Sequence, residues 1–143
     1  MLSSVALVLT LAMQEPVYAG SAATYSSYVN GQRWDFVVSH QDVENSPRWR
    51  DVDDTPPLSP RAAIRSARSL LSRLMKDGDQ WSVGSVNLRP IDFPSSWIWV
   101  VDFQLPFPRP NGGLLTTMSV VVLMNGRAVV PVSSKWPPEF KPR

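Results

Sequence analysis

The sequence contains no cysteine among its 143 residues, and this absence excludes several kinds of protein. Without thiols there is no disulfide scaffold, no thiolate nucleophile and no cysteine-ligated zinc or iron–sulfur site. Lipid anchoring through a lipobox cysteine is excluded for the same reason. The lack of cysteine does not exclude export from the cell.

Histidine and charge are also scarce. His40 is the only histidine, charged residues make up 18% of the chain, and the formal net charge is +2. No long run of lysine and arginine is present, so we predict no nucleic-acid partner. No Gly-x-Ser-x-Gly motif accompanies His40, and no metal-ligand cluster or phosphate-binding loop stands out. We therefore predict no cofactor and no metal, and the leading hypothesis is a protein that is not an enzyme.

The composition is that of a folded protein. Hydrophobic residues account for 43% of the chain, which has six tryptophans. That is enough apolar surface for one core, and the length leaves no room for a second domain of ordinary size. We predict one domain.

The N-terminal segment has the pattern of a signal peptide. Residues 5–12 read VALVLTLA, an apolar run of the right length for a signal-peptide core and too short to span a membrane. Residues 17–19 read Val-Tyr-Ala, with small apolar residues where signal peptidase requires them. We predict cleavage after Ala19, which makes residues 1–19 a signal peptide and residues 20–143 a secreted or periplasmic domain. No transmembrane segment is predicted in the mature chain.

One helix is clearly predicted. Ser59 is a suitable N-cap, Pro60 suits the first helical position, and Gly78 is the predicted C-cap. Apolar residues recur every three or four positions and define one buried face: Ala63, Ile64, Ala67, Leu70, Leu71, Leu74 and Met75.

The opposite face of this helix is basic. It carries Arg61, Arg65, Arg68 and Lys76. Such a stripe is either a solvated face or a surface for anionic lipid head groups or an acidic partner.

The remaining regular segments read as strands. The first lies within residues 25–39, where Trp34, Phe36 and Val38 alternate after a turn at Asn30-Gly31. The next cover residues 81–91, with a bulge at Gly84-Ser85, and 97–105. Residues 115–124 and 127–132 follow, joined by the hairpin turn Asn125-Gly126, and Pro131 places the last strand at an edge. The rest reads as irregular: a surface loop over residues 40–58 and a proline-rich tail over residues 133–143.

This order of elements predicts an α+β fold, with one main helix packed on a curved antiparallel sheet of about four strands. The stretches LSPRAAIRSARSLL, QWSVGSVNL, WIWVVDF and VVVLMNGRAVV resemble small uncharacterised exported bacterial proteins of the PepSY and cystatin-like type. Gln80, Val83 and Gly84 lack the Gln-x-Val-x-Gly spacing of cystatin inhibitors. What the resemblance implies is a binding or modulatory module.

Two function classes follow. The first is a non-enzymatic module that binds an unknown protein or envelope component. The second is a small exported hydrolase that uses His40 or the acidic cluster Asp51, Asp53 and Asp54. This cluster has the oxygen ligands of a calcium site but lacks the EF-hand spacing, so a solvated acidic loop is the simpler interpretation.

Two tryptophans lack a packing reason in the sequence. Trp49 and Trp136 lie among prolines and charges, outside any alternating strand pattern. If their segments meet at one end of the sheet, Trp49, Arg50, Trp136 and Phe140 form an apolar patch with a basic rim, as is typical of a protein contact. The alternative is that both indoles fold inward and close the core.

The signal-peptide prediction is tested on protein from the native host. N-terminal sequencing of the exported protein is expected to begin at or near Gly20, because signal peptidase cleaves after the small residue at the end of such a segment. Recovery of a chain that still begins at Met1 from a cytosolic fraction would contradict it.

Overall fold

The computed structural model describes residues 20–91, 94–105 and 116–137. The predicted signal peptide, residues 1–19, and Phe140 therefore lie outside the described residues. The strands are β1 (Ser21–Val29), β2 (Gln32–Ser39), β3 (Ser82–Pro90), β4 (Trp97–Gln104), β5 (Thr117–Leu123) and β6 (Val132–Lys135). The helices are α1 (His40–Glu44) and α2 (Pro60–Leu74), and a 3₁₀ turn covers Gly78–Gln80.

The α+β class is confirmed, but the strands form two sheets instead of the single sheet predicted. One antiparallel sheet has the order β1-β2-β6 and the other β3-β4-β5. The sequence predicts one alternating strand preceded by a turn at Asn30-Gly31; both residues adopt positive φ, at 53° and 72°, and a further strand, β1, precedes them. Two such residues in succession close a two-residue hairpin, so this region forms two paired strands.

The two sheets meet where β1 runs along the free edge of β5. The backbone N–H of Ser119 donates to the hydroxyl of the buried Ser27 at 2.9 Å. Farther along the same edge, the N–H of Val129 donates to the carbonyl of Val121, also at 2.9 Å. A side-chain oxygen thus satisfies a β5 donor at the junction.

The hairpin turn at Asn125-Gly126 is confirmed, but the strand predicted after it is not. Residues 127–131 contribute one isolated bridge, between Ala128 and Val122, and Val132 already belongs to β6. Pro131 has no backbone N–H and cannot extend the ladder. The chain instead continues into β6, which pairs with β2, so the tail predicted to be irregular begins with strand residues.

Helix α2 begins as predicted and ends earlier. The Ser59 hydroxyl accepts from the N–H of Ala62 at 3.2 Å, and Pro60 is the first helical residue. The C-cap is Met75, three residues before Gly78. A Cβ on Gly78 would lie 2.8 Å from the carbonyl oxygen of Leu71, so glycine is needed for this close approach to the helix.

The core lies on both sides of β4. On one side, α2 packs against the second sheet, with Ala63, Ala67, Leu70 and Leu71 buried. The strand residues of that side are Trp99, Val101 and Phe103, as the alternation predicts. Ile98 and Val100, on the other side, are equally buried. Near Ile98 that second side is lined by Val43 of α1 and by Leu123.

Local structure refines three further expectations. The predicted bulge is confirmed by a register shift between Val83 and Ser85. The predicted surface loop over residues 40–58 begins with α1, which starts with a capping box between Ser39 and Asp42. Within the described part of the chain, none of the helices has the length and apolar character needed to cross a membrane.

Arg68 differs from its neighbours on the predicted basic stripe. Arg61, Arg65 and Lys76 are exposed, but Arg68 is half-buried, donates to the carbonyl of Trp81 at 3.0 Å and lies over the Phe103 ring at 5.1 Å. Its long aliphatic stem lets a helical arginine cover apolar surface while its charged head is satisfied.

The orientation of α2 is tested by two substitutions. Leu71→Ala is expected to lower the free energy of unfolding by about 2–5 kcal/mol, because Leu71 is fully buried and its truncation leaves a cavity. Arg65→Ala, on the exposed face, is expected to change it by less than about 0.5 kcal/mol. Urea denaturation measures both, and equal effects would contradict the observed packing.

Candidate functional site

Trp49 lies in a loop that is held against the turn before β4. Its backbone N–H donates to the carbonyl of Ser95 at 2.9 Å, and Arg48 Nη1 donates to the carbonyl of Pro94 at 2.9 Å. The Trp49 ring packs edge-on against Trp97, with ring centroids 5.2 Å apart and planes at 70°. Since Trp97 is the first residue of β4, the loop is fixed to the central strand of the second sheet.

An open pocket lies beside this aromatic pair. Its volume is about 280 Å³, and its lining residues are Trp49, Arg50, Asp51, Val52, Ser95 and Trp97. The Trp49 indole Nε1 is buried without a hydrogen-bond partner. The pocket therefore combines an aromatic floor with a charged rim.

Arg50, on the rim, is held by Asp53. Arg50 Nη2 lies 3.1 Å from Asp53 Oδ1, and the Arg50 backbone N–H donates to Asp53 Oδ2 at 3.1 Å. The hydrogen bond from the guanidinium, with the backbone hydrogen bond, holds the pKa of Asp53 below its usual value. The same hydrogen bond raises the pKa of Arg50. Both groups are charged at neutral pH, and Asp53 is already engaged by a cation from the chain itself.

Trp136 lies in a different environment. Its ring packs against Tyr28 at 5.0 Å with planes tilted by 54°, and its backbone N–H donates to the carbonyl of Gly31 at 2.8 Å. Trp136 is 42% exposed and Tyr28 48% exposed. These two side chains form a solvent-facing aromatic pair beside the β1–β2 turn.

Trp49 and Trp136 lie at opposite ends of the molecule. The pairing of Ile98 with Leu123 places the start of β4, and hence Trp49, at the end of β5. The ion pair between Asp42 and Arg127 places the junction of β2 and α1 at that same end. Since β1 and β2 are antiparallel, their connecting turn, where Trp136 lies, is at the other end. The structure therefore joins Trp49 with Arg50 and separates them from Trp136.

Two residues of these surfaces were not selected from the sequence. Trp97 was assigned to the core face of its strand, yet it is only half-buried because it is the first residue of β4. Tyr28 has the parity of an exposed residue in β1, but the strand itself was not predicted separately. The sequence did offer one signal for Trp97: a residue that begins a strand is less enclosed than residues in its middle.

The residues of the hydrolase hypothesis are on the surface. His40 is exposed as the first residue of α1, and Asp51, Asp53 and Asp54 are exposed. Among the residues that the structure describes, no group of three or more histidine and acidic side chains could hold a metal ion.

A separate polar cluster spans the second sheet. Asp102 accepts from Ser119 Oγ at 2.5 Å and from Ser85 Oγ at 2.6 Å. Both serines are its neighbours in register on the adjacent strands. The carboxylate thus links three strands through their side chains.

Comparison with protein-family models, with curated proteins and with solved structures finds no match to this chain. The role of each residue therefore rests on its chemistry and on its contacts in the fold.

The contact between Arg50 and Asp53 is tested by NMR titration of the Asp53 carboxyl carbon. The pKa of Asp53 is expected to lie below its ordinary value and to rise towards it in Arg50→Gln, because the hydrogen-bonded cation is removed. Since the folded pKa is lowered, the contact is complete at neutral pH and is lost as the pH falls through that pKa. Arg48→Gln is the control and should leave the Asp53 titration unchanged. An unchanged titration in Arg50→Gln would contradict the contact.

Proposed function

We propose that the chain is an exported, non-enzymatic binding module whose contact surface centres on Trp49 and Arg50. One observation carries this proposal: a loop tryptophan is packed edge-on against Trp97, beside an open pocket of about 280 Å³. The partner we propose is a protein or another component of the cell envelope.

The chemistry of the pocket supports a binding role. Tryptophan and arginine are enriched among the residues that dominate protein contacts, because they offer large contact area together with a polar or charged group.

The pocket is also organised before any partner arrives. The Trp49–Ser95 and Arg48–Pro94 hydrogen bonds fix the loop backbone, and Asp53 holds the Arg50 side chain. A surface that is already ordered loses less conformational entropy on binding. This favours recognition by a fixed surface over recognition by a mobile loop.

The proposal also includes the export of the protein and its resemblance to PepSY and cystatin-like proteins. The apolar segment at residues 5–12 supports export, and one main helix packed on antiparallel strands supports the PepSY and cystatin-like resemblance. The Tyr28 and Trp136 pair is proposed as a second contact surface.

The proposal is tested by capture with immobilised protein from the secreted or envelope fraction of the native host. Mass spectrometry identifies the partner captured by the unaltered chain. The captured amount is expected to fall at least about tenfold with Arg50→Gln and with Trp49→Ala, because these substitutions remove the rim charge and the aromatic floor. Arg61→Gln, an exposed change on α2, is the control and should capture the same amount.

Thermal unfolding separates binding from folding in this experiment. Arg50 is exposed, so its variant should unfold at the same temperature as the unaltered chain. Trp136→Ala reports independently on the opposite end. If Trp49→Ala lowers the unfolding midpoint while capture by both Trp49→Ala and Arg50→Gln stays unchanged, this surface is not the binding site.

A further inference from the structure

A groove with a strongly basic lining runs between α2 and the hairpin that follows β5. Its volume is about 520 Å³. The lining residues are Arg65, Ser66, Ser69, Arg73, Gly126, Arg127, Ala128 and Val130. Three of the eight are arginines and none is acidic. The groove shares no lining residue with the Trp49 pocket.

One wall is a ridge of α2. Arg65, Ser69 and Arg73 are spaced four residues apart, which places them in line along one side of the helix. Eight residues of helix span about 12 Å, so the two arginines flank the serine hydroxyl at that separation. In the part of the chain that the structure describes, neither Arg65 nor Arg73 forms an ion pair.

The other wall is the hairpin, which is less charged and more apolar than the helix ridge. Arg127 is ion-paired with Asp42 of α1, so its charge is already partly neutralised. Val130 is 64% exposed, and Ala128 is half-buried beside it. This wall therefore offers apolar contact opposite two uncompensated charges.

We propose that this groove binds an extended peptide segment of a partner protein that carries two acidic side chains four residues apart. In an extended chain such residues are about 13 Å apart and point to the same side, which matches the separation of Arg65 and Arg73. The residue midway between them faces Ser69. The residues of opposite parity face the hairpin, where Ala128 and Val130 favour small apolar side chains.

The geometry favours this occupant over other anions. A single phosphate or carboxylate is small compared with the separation of about 12 Å between the Cα atoms of Arg65 and Arg73, whereas an extended peptide matches it. A flat membrane surface would contact the exposed ridge but not the far wall of a groove. Arginine pairs with carboxylates through two parallel hydrogen bonds, which suits recognition of aspartate or glutamate.

The experiment uses a fluorescently labelled peptide with the core Glu-Val-Ser-Val-Glu and measures its anisotropy with the unaltered chain. Binding is expected, and it should weaken as salt is added. The double variant Arg65→Gln/Arg73→Gln should weaken binding at least about tenfold, as should a peptide with Gln in place of both Glu. Trp49→Ala should leave binding within about twofold, which distinguishes this groove from the Trp49 surface.

The matched control is Arg61→Gln/Arg89→Gln, which removes the same charge from exposed positions outside the groove. It should change the affinity by less than about twofold. The proposal is overturned if the peptide does not bind, or if the control variant loses as much affinity as the groove variant. Uptake on phosphatidylglycerol vesicles without peptide binding would assign the arginines to a membrane surface and would also overturn it.

Discussion

The central constraint on this structure is that β4 is apolar along one face and, at Ile98 and Val100, on the other face as well, so that both faces must be covered there. Helix α2 covers the face of Trp99, Val101 and Phe103, with Ala63 and Ala67 fully buried. The opposite face, near Ile98, is approached by α1 and its following loop. Because that loop must reach the start of β4, it brings Trp49 onto Trp97. The candidate pocket thus lies where this loop meets the first residue of the central strand.

Local sequence rules predicted the elements that local interactions determine. The cap at Ser59, the bulge near Gly84 and the turn at Gly126 each depend on the chemistry of one or two residues, and all are present. The predicted end of α2 was wrong because a glycine after a helix can either cap it or allow close packing against it. Gly78 allows close packing against Leu71 instead of capping the helix, and only the tertiary contact distinguishes them.

The arrangement of strands and surfaces could not be read from the sequence in the same way. Whether β5 pairs with the segment after its hairpin or lies beside β1 depends on contacts between residues 92 positions apart, such as Ser27 and Ser119. The same applies to the site. Trp49 and Trp136 are equally conspicuous in sequence, yet one packs on Trp97 and the other on Tyr28. Composition identified both residues, and topology separated them.

That separation bears on the stoichiometry of assembly. A partner seated on Trp49 leaves Tyr28 and Trp136 uncovered, because β1 and β2 run between the two ends. The two surfaces share none of the residues named for them, so a substitution in one leaves the contacts of the other in place. If both proposed surfaces bind, one chain holds two partner molecules, one at each end, in a ternary complex.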